Sequence, residues 1–324
     1  MAATRILLVD NGSLQPAATL QLRLLSAEVG RLVGETIHPV SVLHSHKIDP
    51  ALLEGQPAVI FEQAVQQAKA DGIDELIVLP LFIGPSRAIT EYLPQVFAEA
   101  NPGKLQLTIK PTLYGEDGAE LLEILVDHLR QAGGDSDKDT ILLCDHGSPI
   151  IEVTRVRDAL ARDLSAELAI PPARLIACSM ERREGPEYAF NEPLLATALQ
   201  RAPADVIVLM LFLLPGRHAG PDGDVATIAK EHAKPGAQVH LSPLLATHPR
   251  LLELLARRSG RPIIRKQPKA PSVVYVLVTT LCFLLALGLW SGNAGSDILG
   301  MTRGMVGVAF FVLACAVVLL RRRR

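Results

Sequence analysis

The chain has 324 residues, 49% of them apolar, and a formal net charge of -2. At about 150 residues per domain this leaves room for roughly two domains, and the near-neutral balance excludes the strongly basic surface of a nucleic-acid binder. The four cysteines, Cys144, Cys178, Cys282 and Cys315, form no CxxC pair and no disulfide-like framework, a usage that fits a reducing compartment.

The N-terminus, MAATRILLVDNGS, lacks the long apolar run of a signal peptide. Residues 5–10 are a short apolar run and read as a buried strand. After the NGSLQ turn, Pro16 suits the first turn of a helix that runs to about Val33 and stops at Gly34. A second strand covers His38–Leu43, and Pro57 opens a helix to about Ala70. A third strand covers Glu75–Phe82, a helix 89–100, a fourth strand Leu105–Ile109 and a helix 117–132. The polar stretch GGDSDKD at 133–139 reads as a linker.

The pattern then begins again. Strands are expected at 140–144, 174–178, 205–212 and 238–241, and helices at 150–168, 187–201, 223–233 and 247–258. The repeat is visible in the letters. ILLVDNGS at 6–13 matches ILLCDHGS at 141–148, and ELIVLPLFIGPSRA at 75–88 matches DVIVLMLFLLPGRH at 205–218. A period of this size is a duplicated domain. The expected class is α/β: two tandem four-stranded parallel sheets, at 1–132 and 140–260, with helices on both faces.

A different segment follows. Residues 271–290 carry no charge over about the length that crosses a bilayer, and 304–320 are a second apolar run. Arg257, Arg258, Arg261, Arg265, Lys266 and Lys269 precede the first run, Arg321–Arg324 follow the second, and the connecting loop holds only Arg303. The positive-inside rule then makes 271–320 a two-helix transmembrane hairpin, with both ends and the large N-terminal part on the cytoplasmic side of the inner membrane.

Right-handed crossovers make 2-1-3-4 the simplest strand order for each sheet. That order sets strands 1 and 3 side by side at a switch point, where ligands bind beyond the carboxyl ends of the strands. In the second half these two strands end in His146 and His218; in the first half Asn11 and Ala88 stand at the same places. Neutral imidazole is a common ligand for first-row transition metals and moves protons near neutral pH. The pair is therefore expected to face one cleft and handle a divalent metal, with the first half's site degenerate. Cys144, last in an apolar strand, reads as core. Two polar turn histidines would be the plainer reading. Ser148 beside His146 raises a hydrolase, without the G-x-S-x-G elbow that supports one.

DHGS after the first strand and LFLLPGRH after the third resemble the CbiX family of sirohydrochlorin chelatases, over roughly residues 3–258. The resemblance implies insertion of Co2+ or Fe2+ into a sirohydrochlorin-like tetrapyrrole, as in cobalamin or siroheme biosynthesis. It also implies that His146 and His218 bind the metal and accept pyrrole protons, with the metal as substrate and no organic cofactor. The family carries an acidic residue after strand 2, which Glu181 matches best; His44 sits at about that place in the first half. Arg182, Arg183 and Arg217 can pair with the ligand's carboxylates. The alternatives to the chelatase are a membrane-docked metal or tetrapyrrole carrier without turnover and a hydrolase. Oligomeric state stays open.

Overall fold

The computed structural model describes residues 3–264, apart from 117, 134–136 and 204. The first half contains β1 (Thr4–Asp10), α1 (Pro16–Val33), β2 (Ile37–Ser41), α2 (Phe61–Ala70), β3 (Glu75–Pro80), α3 (Leu93–Glu99), β4 (Gln106–Ile109) and α4 (Ala119–Gln131). The second contains β5 (Thr140–Asp145), α5 (Ile151–Glu167), β6 (Leu175–Ser179), α6 (Leu195–Arg201), β7 (Val206–Met210), α7 (Asp224–His232), β8 (Val239–Leu241) and α8 (Pro249–Arg258). The sheets run β2-β1-β3-β4 and β6-β5-β7-β8, all parallel, in the expected order.

Parallel strands covered on both faces read as continuous apolar runs because every side chain is buried. Alternation then sorts those side chains between two cores. Ile6 and Leu8 point inward and join Ile141, Leu143, Ile207 and Leu209 of the other sheet in one shared core, with α1, α4, α5 and α8 contributing Leu25, Leu125, Leu160 and Leu254. Leu7 and Val9 point outward, to a core closed by α2 and α3. Leu142 and Cys144 do the same beneath α6 and α7. The two sheets thus belong to one compact unit ending at Ile264.

The seam between the halves is also polar in places. His128 of α4 meets His248, the N-cap of α8, edge to face with ring centroids 5.2 Å apart. His248 Nε2 lies 3.3 Å from Asp127 Oδ2. Arg250 pairs with Glu123 and Arg257 with Glu120 along the same pair of helices.

Several boundaries differ from the sequence expectation. Residues 57–60 do not start α2; Ile60 bridges Ser41, extending the sheet edge, and Gln63 Oε1 accepts from Ile60 N at 3.1 Å to begin the helix later. The helix expected at 89–100 opens with a π turn at Ala88–Tyr92. The one expected at 187–201 is a 3-10 turn, Pro186–Asn191, followed after Pro193 by α6. Among the described residues no helix is long and apolar enough to cross a membrane; the runs at 271–290 and 304–320 lie outside the described residues.

Candidate functional site

β5 ends at Asp145 and the chain turns through His146, Gly147 and Ser148. Gly147 has φ 94°, and a Cβ there would lie 1.9 Å from the Glu181 carbonyl oxygen, so only glycine allows the two turns to touch. The contact is sealed by Met180 N donating to Asp145 O at 2.7 Å and Glu181 N donating to His146 O at 3.1 Å. It sets the Glu181 carboxylate 3.4 Å from His146 Nε2. His146 Nδ1 lies 3.0 Å from Gly147 O, a carbonyl that can only accept, so Nδ1 carries the proton. The Nε2 lone pair and the carboxylate then face each other as two electron-pair donors, an arrangement that a proton or a metal cation between them stabilises.

A buried polar network holds this turn from below. Asp145 Oδ1 accepts from Gly147 N at 3.1 Å and from Ser179 Oγ at 2.6 Å. Arg157 of α5, 2% exposed, donates to Ser179 Oγ at 2.5 Å and to Asn191 O at 3.3 Å and lies 3.6 Å from Asp145 Oδ1. Asn191 clamps the far end: its Oδ1 accepts from Ser148 N at 3.0 Å and its Nδ2 donates to Ser148 O at 2.9 Å. Burial raises the Asp145 carboxyl above its usual range, and Arg157 opposes that rise. Burial also pushes the neighbouring Cys144 thiol well up, which makes it core and not a thiolate ligand.

His218 sits on the loop from β7 to α7. That loop is closed on the helix start by Asp224 N donating to Arg217 O at 3.1 Å and Val225 N donating to His218 O at 3.2 Å. His218 Nδ1 donates to Asp224 Oδ2 at 2.7 Å, which fixes the tautomer and leaves Nε2 with its lone pair. The two imidazoles meet edge to face with centroids 4.5 Å apart. Both line a cleft of about 690 Å³ whose other wall is Asn11, Gly12, Ser13, Leu14 and His44 of the first half.

The structure therefore brings His146 and His218 together and sets Glu181 beside His146. Among the described residues, no group of three or more His, Cys, Asp or Glu lies arranged to hold a metal ion. Arg217 lines the cleft, 3.6 Å from Asp224. Arg182 is turned aside, bonded to Glu192 at 2.7 Å, and the Arg183 guanidinium lies 6.0 Å from the Tyr188 ring. The counterpart of Glu181 is Leu43, not His44. Val42 N donates to Asp10 O as Met180 N does to Asp145 O, and Gly12 packs on Leu43 O as Gly147 packs on Glu181 O. His44 is one residue further on.

The first half keeps part of the network without the two imidazoles. Asp10, Ser41 and Thr19 match Asp145, Ser179 and Thr154, and Ser45 Oγ accepts from Ser13 N at 3.2 Å where Asn191 accepts from Ser148. The repeat register sets Leu22 in place of Arg157. Asp10 has no such cation, its Oδ1 has no hydrogen-bond partner, and burial raises its pKa to about 6.

Sequence reasoning missed Asp224, Arg157 and Asn191. The first had a signal, an acidic residue at a helix start six positions after a candidate ligand. The other two reach the turn only through the fold.

Residues 140–261 match the family model CbiX. The structure is similar to SirB from Bacillus subtilis with Fe3+, with TM-score 0.58 and 15% identity over 80% of this chain and 94% of that one. It is similar to SirB from Bacillus subtilis subspecies spizizenii in complex with cobalt, with TM-score 0.57 and 15% identity over 79% and 93%. CbiX, described as the terminal enzyme for biosynthesis of siroheme in denitrifying bacteria, matches with TM-score 0.52 and 20% identity over 79% and 98%. No curated protein matches the sequence. The second half of the chain thus carries the CbiX sequence pattern, on a fold shared with sirohydrochlorin chelatases.

Proposed function

We propose that this protein inserts a divalent metal, Co2+ or Fe2+, into a sirohydrochlorin-like tetrapyrrole, with the metal as substrate. The observation that supports this reading is the imidazole pair, 4.5 Å between centroids, at the switch point of the half that matches CbiX. The relatives crystallised with Fe3+ and with cobalt share the fold. Metal insertion exchanges two pyrrole protons for one M2+. His146 and His218 offer Nε2 lone pairs to the incoming metal and take protons as it leaves for the ring, and Glu181 takes part as a third, mobile donor. A site of two imidazoles and one carboxylate binds M2+ loosely enough to release it, as a thiolate set does not. The segment 271–320 is assigned to a membrane hairpin that holds the cleft on the cytoplasmic side, a reading supported by its flanking arginines and lysines.

The test is an anaerobic absorbance assay of the protein with metal-free sirohydrochlorin and each metal. His146→Ala and His218→Ala are each expected to cost most of the activity, and the double variant little more, because residues acting as a unit fail together. Near-wild-type metallation by the double variant refutes the chelatase. Stoichiometric tetrapyrrole binding without metallation assigns a carrier, and ester turnover indifferent to tetrapyrroles a hydrolase.

A further inference from the structure

We infer that the first half supplies a substrate-holding wall to the cleft, and that His44 on that wall binds a carboxylate of the macrocycle. The inference rests on the tetrapyrrole reading above. His44 has φ 70° and ψ -43°, and Ser45 N donates to Leu43 O at 2.9 Å across it. This is a three-residue γ-turn of the positive-φ kind, a backbone state that a residue with a Cβ rarely adopts. Among the described non-glycine residues with positive φ, His44 is the one that lines the cleft. The second half passes the matching point, Glu181 and Arg182, without a positive φ.

The strained turn is held from three sides. Gly12 packs against the Leu43 carbonyl, Ser45 Oγ donates to Ser41 Oγ at 2.8 Å, and Ser13 N donates to Ser45 Oγ at 3.2 Å. The imidazole it presents is exposed and has no hydrogen-bond partner among the described residues. Strain maintained by its surroundings at a ligand-facing position is the usual mark of a residue kept for its side chain. The cleft's ionisable lining is His44, Arg217, His146 and His218 with the buried carboxylate Asp10, while the carboxylates of Glu181 and Asp224 lie beside His146, His218 and Arg217 and none is placed against His44. His146 and His218 are committed to the metal. His44 and Arg217 remain to take the anionic ring substituents. A first half without metal ligands thereby keeps a task in the reaction.

The experiment uses the full-length chain under anaerobic conditions. It measures Kd for metal-free sirohydrochlorin by fluorescence quenching, Co2+ binding alone by visible absorbance, and KM and kcat for Co2+ insertion. His44→Gly removes the imidazole and accepts the positive φ, so the turn is preserved; His44→Lys puts an N–H donor back. His44→Gly is expected to raise Kd and KM roughly tenfold, as for loss of one charge-assisted contact, with kcat and Co2+ binding unchanged. His44→Lys is expected to recover most of the loss. Unchanged Kd in His44→Gly overturns the inference, and so does loss of Co2+ binding, which would make His44 a metal ligand. A purely structural role shows as a lowered Tm in His44→Gly with no rescue by His44→Lys. The chelatase reading is checked separately by His146→Ala: full metallation by that variant sinks the reading, while the Kd measurement still reports on His44.

Discussion

Asp10 and Asp145 end matching strands, and their surroundings decide what each carboxyl does. Asp145 has Arg157, Ser179 and the Gly147 amide; Asp10 has a leucine where the arginine would be. With its pKa raised from 3.8 to about 6, chiefly by burial, the folded state holds more protons on Asp10 than the unfolded state between those values. The Asp10 contribution to stability therefore falls as pH rises from 4 to 6 and stays lower above, by about 2–3 kcal/mol. Denaturant titrations across this range are expected to show Asp10→Asn more stable than wild type at pH 7 and equal to it near pH 4. At the β7–α7 turn, Asp224 fixes the His218 tautomer. Asp224→Asn removes the charged acceptor and can donate to Nδ1, turning the proton to Nε2, the nitrogen assigned to the metal in the proposed function. Co2+ affinity measured by absorbance is expected to drop about 10–100-fold with the fold intact. An unchanged affinity would show that the Asp224 carboxylate does not set the metal affinity of His218. Of these residues only the histidines and Glu181 were legible in the sequence, because they fall in turns after recognisable strands. Arg157 sits mid-helix among ordinary surface arginines, and its burial is visible only once Ser179 and Asn191 have been folded over it.

At the scale of elements, strands were legible and helix starts less so. A strand buried on both faces announces itself as an apolar run such as VIVLM, whereas Pro57 signals a helix start that Ile60 overrides by pairing with Ser41. The α4–α8 seam was not legible, since His128 and His248 are joined only by the packing of two helices far apart in the chain. His128 is 1% exposed, and burial, assisted by His248 and opposed by Asp127, lowers its pKa from 6.5 to about 4. The unfolded state then binds more protons between those values. The seam is at full strength above pH 6.5 and weakens as pH falls towards 4, by about 3 kcal/mol. His128→Leu is expected to abolish this acid loss. The slope is opposite to that of Asp10 over nearly the same range, so the two largely cancel in the wild type. Asp10→Asn alone should lose stability on acidification and His128→Leu alone should gain it. Parallel profiles for the two variants would contradict both assignments.

The described residues form two sheets around one inner core. Its internal repeat was plain from ILLVDNGS and ILLCDHGS, while the sharing of Leu25, Leu125, Leu160 and Leu254 across both halves was not, because amphipathic helices do not name the surface they will cover. Residues 1–132 and 140–264, expressed apart, are each expected to expose that inner face and to fail to give a cooperative thermal transition. Mixed or co-expressed, they should regain one; independent cooperative melting of either would show that the halves are autonomous. Duplication is commonly said to free one copy to drift. Here the freedom reaches only as far as the turns. Asn11 and Ala88 stand in turns where the second half has histidines, but Leu22, Leu25 and Val29 of α1 pack in the same core as the strands that carry His146 and His218. Under the proposed function, selection for metal chemistry in one half is also selection for hydrophobic side chains in the other. Inherited changes on the inner face of α1 should surface as loss of activity at a site they never touch.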